Sequence, residues 1–137
     1  SGVSDVVKVY GTNVAVSGRL LGPISSPVLA DTNATVNVTL SAGNYHEVEL
    51  AAAVTKVIFQ QGIAGQKFAV RLSQPAGANY TIAWTNVDVD EAGTGGTVSW
   101  AGGTAPTMTA TNAKADTYGF IQRSSTAFDG FVIGQNI

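Results

Sequence analysis

The chain has 137 residues, no cysteine, 12% charged residues and a formal net charge of −2. That length suits one domain, able to bury about two-thirds of the surface its unfolded form exposes. The missing cysteines exclude a disulfide framework and a thiolate metal site. Hydrophobic residues make up 45%, too many for a disordered chain, and no run approaches the roughly 20 apolar residues of a membrane helix. Seven basic residues, Lys8, Arg19, Lys56, Lys67, Arg71, Lys114 and Arg123, are scattered along the sequence. They make no basic face, which argues against nucleic acid as a partner.

The N-terminus, Ser1-Gly2-Val3-Ser4, has no basic segment followed by an apolar one, so no secretory signal is expected. Residues 1–33 hold two short alternating pieces, Val6 to Tyr10 and Val14 to Leu20. Leu21-Gly22-Pro23-Ile24-Ser25-Ser26-Pro27 follows, where two prolines favour an extended path. This stretch reads either as edge strands of the same domain or as an extended arm reaching a neighbour. The arm is the favoured reading, because a terminal segment stays ordered only when tied down.

From residue 34 onward the period is 2. Val36, Val38 and Leu40 alternate with Thr35, Asn37 and Thr39; Phe68, Val70 and Leu72 with Lys67, Ala69 and Arg71; Tyr80, Ile82 and Trp84 with Thr81, Ala83 and Thr85. Tyr118 and Phe120, then Phe128 and Val132, repeat the pattern. Alternate strand residues point to opposite faces, so each run offers one apolar face to a core. Val57 and Phe59 belong to the same expected core. Glu49 to Val54, with its three consecutive alanines, is read as a strand end, a turn and a strand start rather than a helix. Turn signals separate the runs at 41–44, 61–65, 74–79, 92–96 and 101–106. Short strands at this spacing predict an all-β fold: an antiparallel, jelly-roll-like β-sandwich of roughly eight strands over residues 34–137, preceded by the arm at 1–33.

Residues able to do chemistry are few. His46 is the single histidine, flanked by Tyr45 and Glu47, with no partner in sequence for acid–base work. Asp88, Asp90 and Glu91 form the one acidic cluster. Their spacing fails the EF-hand pattern, so a solvated hairpin tip is preferred to a Ca²⁺ site. Gly93-Thr94-Gly95-Gly96 lacks the Lys-Ser/Thr of a P-loop and reads as a flexible turn. Trp84 and Trp100 sit beside turns and read as core or rim packing. No catalytic residue, cofactor or metal site is expected, and the chain is not expected to be an enzyme.

The C-terminal part carries a resemblance. Its pieces are Asn79-Tyr80-Thr81-Ile82-Ala83-Trp84, Trp100-Ala101-Gly102-Gly103-Thr104-Ala105-Pro106-Thr107-Met108-Thr109, Thr111 to Asp116, Thr117-Tyr118-Gly119-Phe120-Ile121, and Val132-Ile133-Gly134-Gln135-Asn136. Phe68 to Gln74 matches the strand upstream of them. This order resembles the β-sandwich proteins of tailed-bacteriophage virions: capsid decoration or cement proteins and head-fibre proteins, which share the pattern with tail-fibre tips. Ala101 stands where those proteins usually have proline, and the stretch Asp88 to Gly96 is longer than theirs. The resemblance implies a jelly-roll-like homotrimer without catalytic residues. It does not say where on the virion the domain sits. The decoration reading expects the outer capsid surface of a virion assembled in a bacterial cytoplasm, with the major capsid protein and further copies of itself as partners, and with neither nucleic acid nor membrane. A tail-fibre receptor-binding tip is the alternative, and the absence of any heptad or shaft repeat in the arm favours decoration. Ordering an arm costs about 1–2 kcal/mol per residue, which burial of its apolar side chains must offset. The expected capsid or subunit contacts are therefore Val6, Val9, Tyr10, Val14, Val16, Leu20, Leu21, Pro23, Ile24 and Pro27.

Overall fold

The computed structural model describes the backbone of residues 28–30 and residues 34–137 in full. Among the described residues nine strands form, β1 (Val28–Ala30), β2 (Thr35–Thr39), β3 (Tyr45–Glu49), β4 (Lys56–Gln60), β5 (Lys67–Ser73), β6 (Val87–Asp88), β7 (Gly95–Trp100), β8 (Ala115–Gln122) and β9 (Ala127–Gly134). The one helical element among the described residues is a single 3₁₀ turn, Leu40–Ala42. The fold is all-β, as the periodicity predicts.

All nine strands join one sheet in the order β1-β3-β5-β8-β9-β7-β6-β4-β2. The sheet curls on itself. Phe59 of β4 lies 5.1 Å from Phe68 of β5, 4.9 Å from Phe120 of β8 and 5.1 Å from Phe128 of β9, ring centre to ring centre. One arc of the sheet therefore faces the other across a core that also holds Val36, Val38, Leu40, Val70, Leu72 and Tyr118. Edge-to-face aromatic packing of this kind adds about 0.5–1.5 kcal/mol per pair to the burial itself.

The antiparallel expectation is corrected. Five of the eight ladders are parallel and three are antiparallel. From β1 to β6 the chain alternates between the two arcs, so each strand pairs in parallel with the strand two places on: β1 with β3, β3 with β5, β2 with β4, β4 with β6. Parallel neighbours need a crossover, and here each crossover is itself a strand of the opposite arc. Side chains alternate in both kinds of ladder, so period 2 does not report strand direction. Several of the turns between the runs, such as 41–44 and 61–65, carry the chain across the core. Only β6 with β7 and β8 with β9 are consecutive strands that pair.

A second correction concerns Tyr80 to Trp84. This stretch is extended, with a single bridge between Ile82 and Val54, and forms no strand. The buried Gln74 side chain takes the place of a neighbouring strand. Its Nε2 donates to the Tyr80 and Thr109 carbonyls at 2.8 and 2.9 Å, and its Oε1 accepts from the Tyr80 N–H at 2.8 Å. Tyr80 and Ile82, expected in the core, are partly buried against it, while Trp84 is fully within.

Candidate functional site

The expected contact residues Val6, Val9, Tyr10, Val14, Val16, Leu20, Leu21, Pro23, Ile24 and Pro27 lie outside the described residues. Downstream of them, the Val28–Ala30 backbone adds to β3 in parallel, Val28 opposite Glu47 and Ala30 opposite Glu49.

The polar residues singled out in the sequence do not converge. His46 is buried on the core side of β3, its Nε2 2.9 Å from the Gly43 carbonyl. Burial holds its pKa below the ordinary histidine value, against the opposing pull of that carbonyl. Asp88 is not solvated: it is buried, and its carboxylate pairs with Lys56 at 2.6 Å. Asp90 accepts from the Thr94 N–H and holds the turn between β6 and β7, while Glu91 accepts from Asn37. These three acids thus face three different partners. Among the described residues no group of three or more His, Asp or Glu side chains gathers to hold a metal ion.

Asp116 is a residue that sequence reading passed over. Its fully buried carboxylate accepts from the Thr109 and Asn136 N–H groups at 2.7 and 2.9 Å, the Tyr118 hydroxyl at 3.0 Å and Gln135 Nε2 at 3.3 Å. Burial works to raise its pKa, but these donors outweigh burial and leave it below the ordinary carboxylate value. The same contact pushes the Tyr118 pKa up, through burial first and the neighbouring charge second. The cluster pins the last residues to β8, where Ile137 also exchanges backbone hydrogen bonds with Ala115. Its role is to fasten the chain.

Two surface features remain. The first is the outer face of β8 and β9. Tyr45, Ala69, Gly119 and Phe131 stand in one row across β3, β5, β8 and β9. A Cβ on Gly119 would come within 2.4 Å of the Phe131 ring, so the glycine lets that ring lie flat on the sheet. Phe131 and Ile133, both over Gly119, are exposed at 39 and 57%, and Ile137 at 57%; Val132, exposed at 41%, points to the other side of β9. A cluster of large apolar side chains in water marks an interaction surface more often than chance.

The second is a recess of about 710 Å³ at the end of β4, bounded by the 3₁₀ turn and the loop into β5. Ile63 gives it an apolar wall with the buried Leu40 beneath, and Asn44, Gln61, Gln66 and Lys67 give it polar ones. A smaller recess of about 260 Å³ lies beside Trp84 and Trp100. These indoles meet edge to face at 5.1 Å, and Trp84 packs against Tyr118 as well, which makes them rim and core.

Among the described residues no helix is long and apolar enough to cross a membrane. No family model, curated protein or solved structure matches the chain.

Proposed function

We propose that this chain is a structural protein of a tailed-phage virion, a non-enzymatic decoration protein that binds the outer surface of the head as a homotrimer and stabilises it. The observation that supports this reading best is the exposed apolar pair Phe131 and Ile133 on the outer face of β9, with Ile137 exposed close by in sequence, on a chain whose charged residues are so few. Interface cores are depleted in charge and enriched in aromatic residues, and a rigid β body with such a face is suited to packing against copies of itself or a shell. The arm upstream of β1 reaches the shell in this reading, with Val14, Val16 and Leu20 among its anchors.

Replacing Phe131 and Ile133 together by Asp tests the assembly. The intact chain is expected to show the mass of three copies by light scattering, and the double variant the mass of one with an unchanged far-ultraviolet spectrum. A single-copy mass for the intact chain at micromolar concentration contradicts the trimer. Deleting residues 1–27 tests the anchor. The truncated chain is expected to fold and assemble but to lose capsid binding. Undiminished binding removes the arm from the interface, and failure to fold makes the arm part of the domain. The recess near Lys67 favours a second reading, a receptor-binding tip of a tail fibre, since concave sites with convergent polar groups are where small ligands bind.

A further inference from the structure

We infer that the recess between the 3₁₀ turn and the loop into β5 is a binding site for a sugar carrying a carboxylate. The inference stands apart from the capsid reading. It rests on which hydrogen-bonding groups the fold uses up and which it leaves.

Gln66 sets the arrangement. Its Nε2 donates to the Leu40 carbonyl at 2.8 Å. A carbonyl only accepts, so this contact fixes which end of the amide is nitrogen. The same Nε2 lies 3.0 Å from the Asn44 side chain, whose facing atom must then be oxygen. Gln66 Oε1 accepts from the Ile63 N–H at 3.3 Å. Ser41 donates to Gln61 Oε1 at 2.6 Å. Apart from the bond to Leu40, these contacts occupy the acceptor oxygens of Asn44, Gln61 and Gln66. The amide N–H₂ groups of Asn44 and Gln61 form no hydrogen bond among the described residues, and Lys67 forms no ion pair among them.

The loop is also held in place. Gly65 N–H donates to the Gln122 carbonyl at 2.7 Å, Gln122 N–H to the Gln66 carbonyl at 2.9 Å, and Gln66 N–H to the Ile63 carbonyl at 3.1 Å. A rigid wall loses little freedom when a ligand arrives. The recess therefore offers two amide donors, one ammonium and no carboxylate, beside the apolar side chain of Ile63, which is 73% exposed. The ligand that complements this set has several acceptor oxygens, a negative charge and an apolar face. An acidic sugar has all three. An extended peptide fits less well, because it binds chiefly by adding to a free strand edge. Beside this recess β4 already lies between β2 and β6, and β5 between β3 and β8.

The recess volume of about 710 Å³ lies within the usual range for small-ligand sites. A single sugar ring with one charge contact is expected to bind with a dissociation constant on the order of a millimolar. The test is a nitrogen–proton correlation titration of the full chain with glucuronate and with N-acetylneuraminate. The neutral methyl ester of glucuronate and glucose serve as controls. The expected result is shifts at the backbone amides of 61–67 and the side-chain amides of Asn44 and Gln61, with either acid or both. The neutral sugars, lacking the charge contact, should bind about tenfold more weakly, reaching half-maximal shifts only near roughly 10 mM. Lys67→Ala should weaken binding about tenfold, and Asn44→Ala, at an exposed site, several-fold. Lys114→Ala, on an exposed turn outside the recess, should leave it unchanged. A response to one acid only identifies the sugar class. Equal response to the neutral sugars, shifts confined to another surface, or unaltered binding by Lys67→Ala overturns the proposal. Loss of binding in Lys114→Ala to the same degree also overturns it, because the charge effect is then not local.

Discussion

Between Val28 and Asp88 the chain winds, crossing the core at every step; between Gly95 and Gly134 it closes, with β8 and β9 lying side by side as neighbours in sequence. In the winding part a strand never pairs with the one before it. Val36 stands opposite Val57 and Val57 opposite Val87, so each ladder is made only after a strand of the other arc has been laid down. In the closing part β8 pairs with β9 across a short turn from Gln122 to Ala127. The two parts also differ in what they show to water. The outer sides of β3 and β5 carry Glu47, Glu49, Lys67 and Arg71, whereas β9 ends in exposed Phe131 and Ile133. The winding strands are held by what lies inside the core, and the closing strands leave large apolar side chains exposed.

The largest effect is expected where the two parts meet. Phe59 on β4 touches Phe68, Phe120 and Phe128, and so joins both arcs. Phe59→Ala should lower unfolding free energy by about 3–5 kcal/mol, measured by urea denaturation. A loss under about 1 kcal/mol breaks the picture of one shared core.

Asp116 comes next. Asp116→Asn keeps the shape but removes the charge and turns one acceptor oxygen into an N–H₂ that faces at least one of the four donors, and should cost about 3 kcal/mol. The native carboxylate is held below its ordinary value, so the unfolded chain takes up its proton first on acidification. Its contribution is present at neutral pH and declines as pH falls below about 3.9. The variant's stability should therefore decline less over that range.

His46 acts in a milder range. Burial lowers its pKa, so here too the unfolded state binds the proton more readily. Stability is full above the unfolded value of about 6.5 and falls as pH drops below it, by at most about 1.4 kcal/mol per pH unit. Stability measured between pH 7 and pH 5 should slope accordingly, and His46→Gln should remove that slope.

The smallest stability effect is expected on the closing strands' outer face. Phe131→Ser should change unfolding free energy by under about 1 kcal/mol while reducing self-association. The reverse pattern, a stability loss near that of Phe59→Ala with assembly intact, makes Phe131 part of the fold and not of an interface.

Strands and their inward faces were legible because alternation is a local property: Val36, Val38, Phe68, Val70, Leu72 and Phe120 are all buried as the pattern implies. Strand partners were not, because period 2 is the same in parallel and antiparallel ladders. The Tyr80 to Trp84 stretch alternates as a strand does, yet the Gln74 side chain, six residues before Tyr80, holds the Tyr80 backbone, and one bridge to Val54 holds the rest. Nothing in the alternation announces a side chain standing in for a backbone. The Asp116 cluster was hidden for a similar reason: its donors come from Thr109, Tyr118, Gln135 and Asn136, which only the fold brings together. The recess was equally silent, since 61–65 reads as a turn and its donors are ordinary Asn, Gln and Lys.

Imaging of phage heads assembled without this chain and then mixed with it tests the proposed decoration role most directly. The account predicts added density at regular positions on the outer shell, three-fold in shape, and heads that withstand more heat. Bare shells after mixing with an excess of folded protein contradict it.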